Sequence, residues 1–182
     1  MDIPLDRLQD PEADVRLVPF EENHVAALAA VFQDAPTLRF YLPSLARPFS
    51  EAQLRGLLAD WHDMTTDFVF TIVHGGKVAG LCNLSGVDWV NRSAEIGVAL
   101  LPDGPRGKGV ARAAVRLLLG FSFREAGLHR IMARIQDGND ASTRLFEALG
   151  FRREGALRDT VRRSGGWRAL NVLSLLEDEY RP

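Results

Sequence analysis

Arg106-Gly107-Lys108-Gly109-Val110-Ala111 joins two segments of different periodicity. Before it, Ala94-Glu95-Ile96-Gly97-Val98-Ala99-Leu100-Leu101 is a β-like run, ended by Pro102-Asp103-Gly104-Pro105. After it, Val110, Ala114, Val115, Leu118, Leu119 and Phe121 recur at helical spacing as far as about Glu125, with Gly127 as the stop. At such a strand-to-helix turn the unpaired N–H groups of the first helical turn and the positive end of the helix dipole converge on one spot. Two glycines remove the side chains that would hold a phosphate at a distance, while Arg106 and Lys108 add charge at the edge. The segment is a candidate pyrophosphate cradle, with Arg106, Gly107, Lys108, Gly109, Val110 and Ala111 as its candidate contacts.

Spacing separates the glycine loops that bind phosphates. A Walker A loop requires glycine where this chain has Pro102 and Ser or Thr where it has Gly109. A dinucleotide fingerprint starting at Gly107 requires glycine where the chain has Arg112. What fits is the acyl-CoA pattern (Q/R)-x-x-G-x-(G/A), met by Arg106, Gly109 and Ala111. Downstream, Asn139-Asp140-Ala141-Ser142-Thr143-Arg144-Leu145-Phe146-Glu147-Ala148-Leu149-Gly150-Phe151 follows N-x-x-(A/S)-x-x-L-(Y/F)-x-x-x-G-F, and upstream Ala94-Glu95-Ile96-Gly97 follows the matching strand start. With these motifs in order, the chain resembles the GNAT superfamily of N-acetyltransferases. Arg152 to Glu154, Gly155 and Leu157-Arg158 are similar to the ending of its RimJ/RimL-like branch, which acetylates protein N-terminal amines.

The resemblance covers roughly Asp14 to Tyr180. It implies an α/β (α+β type) fold: one mixed, mostly antiparallel sheet of about seven strands, flanked by helices and splayed after the fourth strand. In that gap the pantetheine arm of acetyl-CoA would bond like an added strand. The expected organisation is a leader over 1–13 and a single acetyltransferase domain over 14–180.

Outside the motifs the reading rests on pattern. Val15, Leu17 and Val18 predict a short strand, and Glu21 to Phe32 a helix. Residues 34–49 read as irregular chain broken by Pro36, Pro43 and Pro48, after which Ser50 and Gln53 form a capping box for a helix to about His62. The Pro-interrupted region is a candidate wall of a cleft. Phe68 to Val73, Gly75-Gly76 and Val78 to Leu84 predict an antiparallel hairpin. Ile131 to Ile135 is the next strand, Ala141 to Leu149 the next helix, and the remainder two strands joined through Ser164-Gly165-Gly166.

Amine acetylation needs a neutral amine, and alkyl amines are mostly protonated at neutral pH, so a base or a water chain must take a proton. Glu95 is the first candidate; strand alternation puts it on the face opposite Ile96 and Val98, and its alternative role is that of a structural strand carboxylate. The resemblance implies that a backbone N–H around Ala99 to Leu101 meets the developing oxyanion, which makes Leu100 and Leu101 cofactor contacts. Many relatives offer a tyrosine to the departing thiolate. Here that position is Phe146, which has no proton to give, and Ser142 one turn earlier is the candidate donor, or else an ordinary first-turn residue. Asn139 suits the pantetheine amides, or else caps the helix. Arg112, Arg116 and Arg144 could reach the CoA phosphates or stay solvated. Trp61, Trp89 and Trp167 could line an acceptor pocket, Trp89 in particular, or pack.

Composition sets the remaining bounds. The chain has 182 residues, 46% of them hydrophobic, enough for one domain with a core. A net charge of −2 gives no field favouring nucleic acid or an anionic membrane, so neither is an expected partner. The single cysteine, Cys82, and an N-terminus without a signal-like pattern predict a soluble cytoplasmic protein. His24, His62, His74 and His129 show no ligand spacing, so no metal is expected. The expected activity is acetyl transfer from acetyl-CoA to a primary amine, with a protein N-terminus as the acceptor. The alternatives are a small-molecule amine (antibiotic, polyamine or amino acid) and a non-catalytic acyl-CoA-binding module; a homodimer is compatible with either.

Overall fold

The computed structural model describes residues 8–41, 49–63, 65–163 and 165–182. One sheet carries the fold. Its strands are β1 (Gln9–Asp10), β2 (Val15–Pro19), β3 (Phe68–His74), β4 (Lys77–Asp88), β5 (Ser93–Leu100), β6 (Arg130–Gln136), β7 (Arg152–Arg163) and β8 (Gly166–Leu176), in the order β1-β2-β3-β4-β5-β6-β8-β7. Only β5 and β6 run parallel. The helices are α1 (Val25–Gln33), α2 (Ala35–Tyr41), α3 (Glu51–Asp60), α4 (Val110–Gly120), continued by a π-helical turn Phe121–Glu125, and α5 (Asp140–Glu147). Among the described residues no helix is long and apolar enough to cross a membrane.

Both faces of the central strands are buried, which is why β3 does not alternate and is apolar from Phe68 to Val73 except at the buried Thr71. Phe70 and Ile72 face one core, with Cys82, Leu84 and Ile96 beneath the apolar stripe of α4. Val69, Leu81 and Ala99 face the other, beneath Leu28 and Phe32 of α1, Leu38 of α2 and Leu54 of α3. α3 starts on the expected capping box: the Gln53 N–H donates to Ser50 Oγ at 3.2 Å and the Ser50 N–H to Gln53 Oε1 at 3.1 Å.

The expected mixed, mostly antiparallel sheet is present, and three details differ from the sequence reading. Among the described residues it has eight strands where about seven were expected, because part of the expected leader joins it: Gln9 and Asp10 pair with Arg16 and Val15, and Leu8 is buried. The stretch read as irregular over 34–49 contains α2. Pro36 lies in its first turn, where a missing N–H removes no helical bond, and Asp34 caps that turn by accepting from the Thr37 N–H at 2.9 Å. The helix expected from Glu21 begins as a 3-10 turn, Glu22–His24, and becomes α-helical at Val25. Pro43, Pro48 and Ser164 lie outside the described residues.

The splay is visible in the register. β5 and β6 pair only through Ser93–Arg130, Ala94–Ile131 and Glu95–Met132, yet β5 continues to Leu100 and β6 to Gln136. Beyond Glu95 the two strands separate, while β4 holds β5 as far as Gly80–Leu100. Gly80 makes that last pair fit. A β-carbon there would stand 2.2 Å from the Ala99 carbonyl oxygen and 2.8 Å from Leu100 Cα. Gly80→Ala must therefore push β4 from β5, and it is expected to cost about 2–3 kcal/mol of stability, the upper part of the range for overpacking. Urea unfolding should show this as a lowered midpoint at unchanged slope.

Candidate active site

The turn before α4 is built as a cradle. Gly107 and Gly109 have φ of +73° and +78°, left-handed values that strain any side-chain-bearing residue, and a β-carbon on either would meet no atom within 4 Å. Gly109 is the N-cap of α4 and offers no side chain to its N–H groups. The first helical bond runs from the Ala113 N–H to the Gly109 carbonyl at 2.9 Å, so the N–H groups of Val110, Ala111 and Arg112 lie before the intrahelical ladder begins. With no acidic residue in that turn, it is a positive end open on space.

A cavity of about 570 Å³ leads from this turn along the end of β5 to the start of α5. Its walls include Arg106, Gly107, Gly109, Val110, Ala111 and Arg112 at one end, Val98 and Leu100 along β5, and Asn139 and Ser142 of the α5 start. Lys108 and Leu101 are not among its lining residues, although both were expected contacts. Register explains Leu101. Its N–H donates to the Ala79 carbonyl at 2.8 Å, so in an antiparallel ladder Glu95, Gly97, Ala99 and Leu101 turn their backbone groups to β4. Ile96, Val98 and Leu100 turn theirs the other way, toward β6, and past Glu95 that side is the gap. Val98 and Leu100, not Ala99 or Leu101, are therefore the backbone donors available there. Lys108 is exposed on the outside of the turn.

α2 supplies the opposite wall, through Pro36, Thr37, Phe40 and Tyr41. Arg106 reaches across to it, donating from Nη2 to Thr37 Oγ1 at 3.3 Å. The Thr37 hydroxyl, helped by the Thr37 N–H and the Arg106 charge, holds the Asp34 carboxyl below the usual carboxylate range against the opposing effect of burial. Of the other arginines considered, Arg116 is paired with Asp10.

A second cavity, about 240 Å³, meets the first at Phe40, Tyr41, Val98, Asn139 and Ser142. It lies on the sheet face that begins under α1 with the pair Leu81–Ala99 and continues as Asn83–Gly97 and Ser85–Glu95. Gly97 leaves room for Asn83, whose Oδ1 would be 2.5 Å from a β-carbon at that position. The same Oδ1 accepts from the Tyr41 hydroxyl at 2.9 Å. Burial pushes the Tyr41 hydroxyl far above its ordinary value, so it keeps its proton. Glu95 stands on the face opposite Ile96, as alternation requires, and Arg134 donates to its Oε2 from Nε at 2.7 Å and Nη2 at 2.6 Å. Both contacts fall on one oxygen and leave Oε1 out of the pair. Asp67 adds a second carboxylate.

Asn139 does cap α5, its Oδ1 accepting from the Ser142 N–H at 3.3 Å, and its amide also borders both cavities. Ser142 lies where the cavities meet. Phe146, 3% exposed, packs edge-on to Phe151 with ring centres 5.0 Å apart and closes the second cavity one turn further on. Trp61, against Phe32 and Tyr41, is the tryptophan that lines this cavity. Trp89 instead donates to the Thr65 carbonyl at 2.7 Å and packs on Phe68, and Trp167 is exposed. Tyr41 and Phe40, like Asp67 and Arg134, are residues that sequence reasoning missed; for the first two the available signal was the Asp34-x-x-Thr37 cap announcing α2.

Cys82 is fully buried, and burial raises its thiol far above the ordinary range. The native protein is therefore expected to leave a thiol reagent unreacted, and the denatured protein to titrate one thiol. A released thiol product can then be followed without interference from the chain. Among the described residues no three His, Cys, Asp or Glu side chains gather as a metal-ligand group.

Residues 14–152 match the model of the acetyltransferase (GNAT) domain. The chain is 32% identical over 139 residues to the uncharacterized N-acetyltransferase p20 of Bacillus licheniformis, covering 73% of this chain and 78% of that one. It is 32% identical over 141 residues to the protein named Putative ribosomal N-acetyltransferase YdaF of Bacillus subtilis, covering 76% and 74%. The fold superposes on the spermidine N-acetyltransferase of Vibrio cholerae, solved with CoA and spermine, with a TM-score of 0.84 at 22% identity, covering 92% of this chain and 98% of that one.

Proposed function

This chain belongs to the GNAT acetyltransferase family, and from that premise we propose that it transfers the acetyl group of acetyl-CoA to the α-amine of a protein N-terminus, in the manner of the RimJ/RimL-like branch. The observation that carries the reading is the meeting of a long cavity and a polar one at Val98, Asn139 and Ser142. The likeness to the protein named Putative ribosomal N-acetyltransferase YdaF supports a peptide acceptor.

Each residue then has a role. The backbone N–H groups from Gly107 to Ala111 hold the pyrophosphate, with Arg106 at its edge and Lys108 adding charge from outside. Val98 and Leu100 receive the pantetheine arm as a neighbouring strand would, and one of their N–H groups faces the carbonyl oxygen that gains charge. Acetyl-CoA supplies the acyl group on its thioester, and the amine attacks there directly. Glu95 takes the amine's proton, itself or through one water, while Arg134 fixes the carboxylate in the cavity. The Ser142 hydroxyl donates a hydrogen bond to the sulfur as it leaves and keeps its own proton, and the free thiolate takes a proton from solvent. With a pKa near 8.5, that group departs without much help, so Phe146 in place of a tyrosine is tolerable. A single buried thiol suits the cytoplasm.

A second reading, a polyamine acceptor, draws on Asp67 and Glu95 together in the acceptor cavity. Incubating the protein with acetyl-CoA and an array of N-terminal peptides, amino acids, polyamines and aminoglycosides, with a thiol reagent to follow CoA release, separates the two. Release selective for peptides is expected. Release confined to polyamines would move the assignment to the second reading.

A further inference from the structure

The acceptor cavity does not end at Glu95. A chamber of about 50 Å³ adjoins it, bounded by the same Glu95 and Arg134 and then by Gln136, Val161, Arg163 and Leu170. At roughly 10–15 Å³ per water by this measure it has room for a few heavy atoms. Gln136 is 94% buried, because 6% of its surface is exposed, and among the described residues its Oε1 is buried without a hydrogen-bond partner. Its backbone carbonyl is satisfied by the Asn139 N–H at 3.0 Å, so the unmet requirement is that of the side chain alone. A buried amide oxygen left in this state is costly, and leucine in its place would remove the cost.

Position gives the oxygen a use. Arg134 and Gln136 are two apart on β6 and share a face, so Gln136 stands about 7 Å further along the strand than the arginine that fixes Glu95. An extended acceptor whose amine lies at Glu95 passes this point one to two residues later. We propose that Gln136 is a specificity-determining residue that accepts the first backbone N–H of the acceptor peptide. The inference rests on the peptide reading above and deepens it. An ester analogue, in which that N–H is replaced by oxygen, keeps the reactive α-amine but has nothing to donate to Gln136. It leaves the buried oxygen unmatched, as sites built to bind a polar group penalise analogues that lack it.

The test compares kcat/KM for an N-terminal tripeptide and for its depsipeptide with an ester at the first linkage, in the wild-type enzyme and in Gln136→Leu. The wild type should favour the amide by roughly tenfold or more. In Gln136→Leu the ratio should fall toward one, with KM for acetyl-CoA unchanged. Equal rates on amide and ester in the wild type would overturn the proposal without any variant, and so would a ratio preserved in Gln136→Leu. Turnover of spermidine with none of either peptide would overturn the acceptor reading itself, and the role of Gln136 with it.

Discussion

Gly109→Val should abolish useful acetyl-CoA binding, raising its Kd about a hundredfold or more, which is roughly 2.7 kcal/mol. Two effects combine at this position. Its φ of +78° is a conformation that β-branched residues avoid, so the turn must rearrange and misdirect the N–H groups of Val110 and Ala111. The added methyls would also project into the open space where the phosphates are to lie. A β-carbon at Gly109 would meet no atom within 4 Å, so the added side chain displaces nothing in the core and the variant should stay folded. Calorimetric titration with CoA, beside a thermal melt, separates lost binding from lost structure. Wild-type affinity in a folded Gly109→Val would show that the turn is not the cradle.

Glu95→Gln should lower kcat by on the order of a hundredfold or more, the range typical of removing a general base. Because Glu95 lines the acceptor cavity and not the long one, KM for acetyl-CoA should be unaltered. The pair with Arg134 is lost, but that side chain is 46% exposed and its guanidinium can turn to solvent, so stability should change little. A drop in stability with kcat retained would assign Glu95 to the sheet alone. Steady-state kinetics on a peptide acceptor, with a urea midpoint for the same sample, reads both quantities.

The half of the molecule around the glycine turn was legible in the sequence because its signals are local. Positive φ at Gly107 and Gly109, the stripe on α4 and the alternation of β5 are each written within a few adjacent residues. The acceptor half depends on contacts distant in sequence. α2 was hidden by Pro36, which breaks periodicity on paper but is harmless in a first turn capped by Asp34. β1 is two residues long and acquires its meaning from β2. Which β5 residues free their N–H groups follows from the bond between Leu101 and Ala79, a register that one strand cannot announce. The sequence favours Trp89 for the acceptor pocket, but it is Trp61, packed against Tyr41, that lines the cavity, while Trp89 packs on Phe68. Gln136 gives no signal at all as one polar residue closing the run Arg130–Gln136.

The central claim is that the two cavities are halves of one reaction path joined at Ser142. A peptide linked through its α-nitrogen and an acetyl bridge to the sulfur of CoA would occupy both at once. Its Kd should be lower than that of CoA by about a hundredfold or more, as expected when one molecule makes the contacts of two substrates. A conjugate that binds no more tightly than CoA alone would mean that the acceptor does not approach the thioester through the cavity at Glu95.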